Sequence, residues 1–122
     1  MDGTKFVLDT NAILYLMKGK QCMDPYKNED LYVSVITKLE LLSFPDITEF
    51  ESQSIESFLV NCTIVPLEDN IQKSTIEIRR KYRIKLPDTI VAATAIALNY
   101  PLVTADKGFR KIEELDLHLI EP

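Results

Sequence analysis

The sequence predicts an α/β fold, a mostly parallel sheet of about five strands with helices on both faces. Three observations carry this reading. Short apolar strands alternate with helical stripes along the chain, the pattern of βαβ units. Two of those strands finish on an acid, Asp9 and Asp106, and the crevice of such a sheet lies outside the carboxyl ends of its strands. Between Asp88 and Asp106 the chain carries no charge, and over 90–98 its only polar side chain is Thr94. Ala92, Ala93, Ala95 and Ala97 favour helix there. A helix that is apolar all round is buried all round. This one falls short of the roughly 20 residues that a membrane span needs.

The elements follow in order. Residues 5–9 read as a strand ending on Asp9, with Thr10-Asn11 a turn or cap and 12–17 an apolar helix closed by Gly19. Residues 21–30 are polar and read as loop, and 31–35 as the second strand. A helix over 37–42 carries Glu40 and stops at Pro45. Ile47, Phe50, Ser54, Phe58 and Cys62 fall at helical spacing, with Ile55 and Leu59 beside them. Residues 63–65 form a third strand, stopped by Pro66, and Ile71, Thr75, Ile78 and Tyr82 mark the next helix. The residue before a proline avoids the α region, so the alanine-rich helix should start near Asp88, after Leu86-Pro87, and end at Asn99-Tyr100-Pro101. Residues 102–104 are a short buried strand, 109–115 a short helix, and 117–120 a last, edge strand.

At 122 residues the chain is expected to be one domain, residues 1–122. Its hydrophobic fraction of 46% suffices for a core, and its charges are spread without repeats or low-complexity runs. No targeting or membrane segment is read, and Cys22 and Cys62 form neither a metal spacing nor a disulfide framework. A reduced, cytoplasmic protein is expected. His118 is the only histidine, which argues against histidine zinc sites and Ser-His triads. The net charge of −5 argues against tight non-specific nucleic-acid binding. The bases are uneven, however. Residues 79–85 hold five bases and no acid and run directly into Pro87-Asp88, while Lys107, Arg110 and Lys111 follow Asp106. They read either as helix ends, where bases suit the dipole, or as a phosphate-facing surface.

The acids also admit two readings. Asp88 at a helix start could simply cap it. Glu40 fits a T-x-x-E capping box with Thr37. If instead Asp9, Asp88 and Asp106 converge, their like charges repel and favour a cation. With oxygen ligands only, that cation is Mg²⁺ or Mn²⁺ rather than zinc. One or two such ions lower the pKa of an attacking water and neutralise charge on a phosphodiester.

Four segments together resemble a known family. They are Phe6-Val7-Leu8-Asp9-Thr10-Asn11, the stretch from Ser34 to Leu42 around Glu40, Leu86-Pro87-Asp88 with its alanine-rich helix, and Leu102-Val103-Thr104-Ala105-Asp106. In this order and spacing they are similar to the acidic motifs of PIN-domain nucleases, above all the VapC-type toxin branch. The resemblance covers nearly the whole chain. It implies a three-layer α/β/α sandwich and Mg²⁺- or Mn²⁺-dependent cleavage of single-stranded RNA. It also implies a homodimer and inhibition by a small antitoxin. Carried over by motif, Asp9, Glu40, Asp88 and Asp106 are the expected catalytic metal cluster, with Asn11 and Thr104 as supports. Arg80, Arg83 and Lys107 are the expected contacts to the RNA backbone. Where many members carry a further acid this chain has Gly108, and whether one or two ions bind stays open. A receiver domain fits poorly, because Asp9 lacks an adjacent acid and no Lys-Pro pair exists. The serious alternative is a non-catalytic PIN-like module that binds RNA or protein.

Overall fold

The structure, a computed structural model, describes residues 3–122. Five strands are joined by helices: β1 (Lys5–Leu8), α1 (Thr10–Met17), β2 (Asp30–Ser34), α2 (Val35–Leu42), α3 (Glu49–Val60), β3 (Thr63–Val65), α4 (Asp69–Lys81), α5 (Leu86–Leu98), β4 (Leu102–Thr104) and β5 (Leu117–Leu119). The strands lie in the order β3-β2-β1-β4-β5, and every pairing is parallel. The chain runs outward from β1 to β3, then returns to the other side of β1. The strand order therefore reverses between β1 and β4, which is where such sheets open a crevice.

Side chains alternate across a strand, and the core divides accordingly. Phe6, Leu8, Val33 and Val103 pack with Ala12, Ile13, Ile55 and Leu59 of α1 and α3. Val7 and Leu102 pack on the other face with Ile71, Ile78, Val91 and Ala92 of α4 and α5. These are the three layers that the resemblance implied. In α5 the side chains from Thr89 to Ala95 are all buried. Its two interior threonines are satisfied locally, Thr89 Oγ1 donating to the Lys85 carbonyl at 2.8 Å and Thr94 Oγ1 to that of Ile90 at 2.7 Å. The helix ends on Asn99 in the left-handed region at φ 59°.

Four local expectations need correction. Helix α5 begins at Leu86 rather than near Asp88, with Pro87 inside the first turn. The N–H that proline lacks would have had no partner there. Helix α2 begins at Val35, two residues early, because the Ser34 hydroxyl accepts from Ile36 N–H at 3.3 Å and starts it. Thr37 is consequently a fully buried interior residue rather than a cap. The capping box sits at Thr48, whose hydroxyl and amide exchange 3.0 Å bonds with Glu51. Within 21–30, a 3₁₀ turn at Gln21–Met23 buries Met23, which anchors the loop to the core. The short helix expected over 109–115 is a 3₁₀ turn at Lys107–Lys111, started by the Asp106 carboxylate; beyond it Ile112 and Leu115 turn into the core. His118 does lie on an edge strand, β5, with Nδ1 at 3.3 Å from the Tyr26 hydroxyl. Among the described residues no helix is long and apolar enough to cross a membrane.

Candidate active site

Each of the four acids reaches the carboxyl edge of the sheet by its own route. Asp9 directly follows β1 and caps α1, its Oδ1 accepting from Thr10 N–H at 2.8 Å. Its Oδ2 accepts from the Thr104 hydroxyl at 2.8 Å and from Asn11 Nδ2 at 3.2 Å. The Thr104 hydroxyl also accepts from Asn11 Nδ2 at 3.2 Å and from Asp106 N–H at 3.0 Å, while Asn11 Oδ1 accepts from Ala105 N–H at 2.9 Å. Asn11 and Thr104 thus tie the end of β1 to the end of β4 across the switch in strand order. Asp106 is exposed, and its Oδ1 accepts from Gly108 N–H at 2.8 Å. A Cβ at position 108 would stand 3.0 Å from that oxygen, so glycine suits the tight turn.

Glu40 does not reach back to Thr37. Its Oε1 accepts from the Thr10 hydroxyl at 3.1 Å, which ties α2 to the start of α1. Asp88 stands in the first turn of α5, but Lys85 is the N-cap and no side-chain capping bond forms. No described residue donates a hydrogen bond to the Asp88 carboxylate. The capping accounts of Glu40 and Asp88 are therefore set aside.

Asp9, Glu40, Asp88 and Asp106 line one cleft of about 280 Å³, with no basic side chain on its walls. An adjoining cleft of about 220 Å³ shares Asp88 and Asp106 and adds Arg83, Lys85 and Lys111. Burial pushes the Asp9 carboxyl above its ordinary range, with Glu40 and Asp106 adding repulsion, against the bonds from Thr104 and Thr10. Asp88 is also raised, first by burial and then by the charges of Asp9 and Asp106, while Lys85 opposes. The cleft is thus an oxygen-lined concentration of negative charge, a donor set that fits a hard divalent cation. Among the described residues no three Asp, Glu, His or Cys side chains form a ready-made cage. Glu40, Asp88 and Asp106 keep the exposure needed to swing.

Of the bases singled out in the sequence, Arg83 faces the site, whereas exposed Arg80 and Lys107 line neither cleft. Arg80 lies in the last turn of α4, before the chain bends toward the site at Tyr82. Lys85 and Lys111 do line the basic cleft and were not singled out. Their signal was membership of the two base runs that flank the acids.

A family model for the PIN domain matches residues 6–115. The chain belongs to the PIN domain family. This PIN domain is 32% identical over 124 residues to Ribonuclease VapC of Rickettsia bellii, the match covering 91% of this chain and 92% of that one. Its fold is similar to VapBC2 from Rickettsia felis, solved bound to a DNA fragment from their promoter, at a TM-score of 0.82 and 24% identity, covering 97% of this chain and 100% of that chain. It is similar also to VapBC-1 from nontypeable Haemophilus influenzae, at a TM-score of 0.77 and 25% identity, covering 95% and 98%.

In this PIN domain the Thr104 hydroxyl holds Asp9 and Asp106 at once, so Thr104→Val tests that link. Valine keeps the shape but leaves the Asp106 N–H without its acceptor and Asp9 without its 2.8 Å donor. Unpaired groups at such a buried position cost about 1–3 kcal/mol. Urea unfolding should show that loss. An unchanged midpoint would mean that the network contributes nothing to the fold.

Proposed function

We propose that this PIN domain, residues 1–122 acting as one unit, is a metal-dependent endoribonuclease of single-stranded RNA and the toxin of a toxin–antitoxin pair. The observation that carries the reading is the convergence of Asp9, Glu40, Asp88 and Asp106 on one cleft free of bases. The name of the Rickettsia bellii relative and the VapBC complexes among similar structures support it. A small antitoxin is accordingly the proposed protein partner, a homodimer the proposed assembly and the cytoplasm the proposed location.

Asp9, Glu40, Asp88 and Asp106 would hold Mg²⁺ or Mn²⁺. The ion would supply charge neutralisation at the phosphodiester and a lowered pKa for the attacking water. The protein's own part is positional. Thr104, Asn11 and Thr10 N–H fix the Asp9 carboxylate, Thr10 Oγ1 steadies Glu40, and Gly108 N–H orients Asp106. Attack by water leaves a 5′-phosphate and a 3′-hydroxyl. The expected result is cleavage of single-stranded RNA in Mn²⁺ or Mg²⁺, none in EDTA, and those ends. Full activity in EDTA, or 2′,3′-cyclic ends, would overturn the mechanism.

Arg83, Lys85 and Lys111 are proposed to hold the RNA backbone beside the acids. Their loop is braced: Arg79 Nη1 donates to the Ile84 carbonyl at 3.0 Å, and the Tyr82 hydroxyl donates to Glu114 Oε1 at 2.7 Å. Replacing Arg83 and Lys85 by Ala should weaken RNA binding in EDTA. Each lost phosphate contact should reduce the slope of log affinity against log salt by about 0.7. Arg80→Ala should leave that slope unchanged. The opposite pattern would move the RNA path onto α4.

A further inference from the structure

The acid cleft has one aromatic wall that its chemistry does not require. Phe44 lines it together with the four acids, and Leu14 of α1 lies beside it. The Phe44 side chain remains 44% exposed although apolar core lies close by. A lone exposed phenylalanine is ordinary on a protein surface. A phenylalanine at the lip of a catalytic cleft, held in place by its own backbone, is a different matter.

Its placement follows from the sequence. Glu40 lies in the last turn of α2, and Phe44 follows just past the end of that helix. The helix stops at Ser43, whose N–H donates to the Glu40 carbonyl at 3.4 Å. Pro45 follows and restricts Phe44 to extended backbone. Asp46 then takes a positive φ of 64°, and Ile47 N–H closes the turn on the Phe44 carbonyl at 3.3 Å. The ring thus lines the acid cleft just past the end of α2, while Arg83 and Lys85 line the adjoining cleft without it.

We propose that Phe44 is the base-stacking platform of the site: it takes the face of a nucleobase next to the cleaved linkage and so selects single-stranded RNA. The proposal rests on the ribonuclease reading. An aromatic face holds any unstacked base, with little regard to sequence. A base inside a duplex has both faces covered and cannot use it. The site then divides its tasks, with bases gripping phosphate, acids at the cleaved bond and Phe44 under a base.

The experiment compares wild type, Phe44→Leu and Phe44→Trp on a short randomised RNA oligonucleotide. Binding is read by fluorescence anisotropy in EDTA at several salt concentrations, and cleavage is read in Mn²⁺. Leucine keeps the apolar contact and removes the ring. It should weaken binding about tenfold and raise KM to match, the loss lying in KM rather than kcat. Tryptophan should restore both. The salt slope should not change, because no charge is lost, and that separates stacking from the backbone contacts of Arg83. Preference for the free strand over the same strand annealed to its complement should shrink with leucine. Leucine that binds and cleaves like wild type, with the melting temperature intact, overturns the platform and leaves Phe44 as a contact for a protein partner. A wild type that binds RNA in EDTA but does not cleave it in Mn²⁺ overturns the ribonuclease reading instead, and the binding arm still decides Phe44.

Discussion

Asp9→Asn is expected to reduce RNA cleavage in Mn²⁺ by about a thousandfold and to lower the melting temperature in EDTA. The first effect follows from position, since Asp9 is the most buried of the four acids and the one that Glu40 and Asp106 both act on. The second is less obvious, because neutralising a buried charge ordinarily stabilises a fold. Here the donors decide. Thr104 Oγ1 and Asn11 Nδ2 both point at Oδ2 while Thr10 N–H takes Oδ1. Asparagine keeps one acceptor and turns an NH₂ group toward the other donors. Thr104 already accepts two bonds, so it has little capacity for a third. The mismatch should cost about 1–2 kcal/mol. Thermal melts in EDTA beside a cleavage assay check both effects. A mutant that melts higher than wild type would show that charge relief, not hydrogen bonding, governs Asp9.

Asp88→Asn should lose activity too, by about a hundredfold, yet move stability the other way. No described donor addresses its carboxylate, so the amide leaves nothing unpaired. Burial and the charges of Asp9 and Asp106 raise its carboxyl above the ordinary 3.8. Below that value Asp88 is protonated in both states and folding is unaffected. As pH climbs from there through the raised folded value, the unfolded chain ionises first and stability falls. The loss persists at neutral pH. Removing this charge should return about 0.5 kcal/mol at pH 7, a modest figure because Asp88 is partly exposed and screened by water. For a chain of this size that is a rise in Tm of about 2 °C. The gain should vanish near pH 4. Manganese reverses the ranking, because an ion that binds only the folded state adds RT ln(1 + [L]/Kd), and the mutant binds it more weakly. Melts at several pH values, with and without Mn²⁺, test all three statements. Equal Mn²⁺ shifts in mutant and wild type would remove Asp88 from the metal set.

Much of this was legible in the sequence, for physical reasons that differ by residue. Asp9 and Asp106 end apolar strands, and in a parallel sheet that alone places them on the ligand side. The alanine-rich helix announced its burial through composition. Element starts were harder, because several side chains can begin a helix and only tertiary context chooses. Ser34 won over Thr37 because β2 ends there, which buried Thr37 and freed Glu40 to meet Thr10. Thr48-x-x-Glu51, the box that does form, carried the same pattern as the one that does not. Which bases line the cleft beside the acids was not legible, because a charge run does not say where the chain bends. Arg80 stays on α4, while Tyr82 ends the helix and sends Arg83 and Lys85 toward the acids. Phe44 was not singled out in the sequence, because only the fold shows that the turn after α2 opens on the cleft.

The strand order has a bearing on protein synthesis. β1 is made first, yet its bonds to the far side wait for the chain near Pro101 and Val103, which accept from Val7 and Asp9 at 2.9 and 3.1 Å. A ribosome that has released only the portion through α4 holds β3, β2 and β1 with one edge of β1 unpaired. That fragment has Asp9 and Glu40 but neither Asp88 nor Asp106, and no Thr104 to fix Asp9. It offers a bare apolar edge, the kind that recruits chaperones or aggregates, and no assembled cleft. Interrupted translation therefore yields a fragment without the assembled cleft. The four acids can meet only when nearly the whole chain has been made.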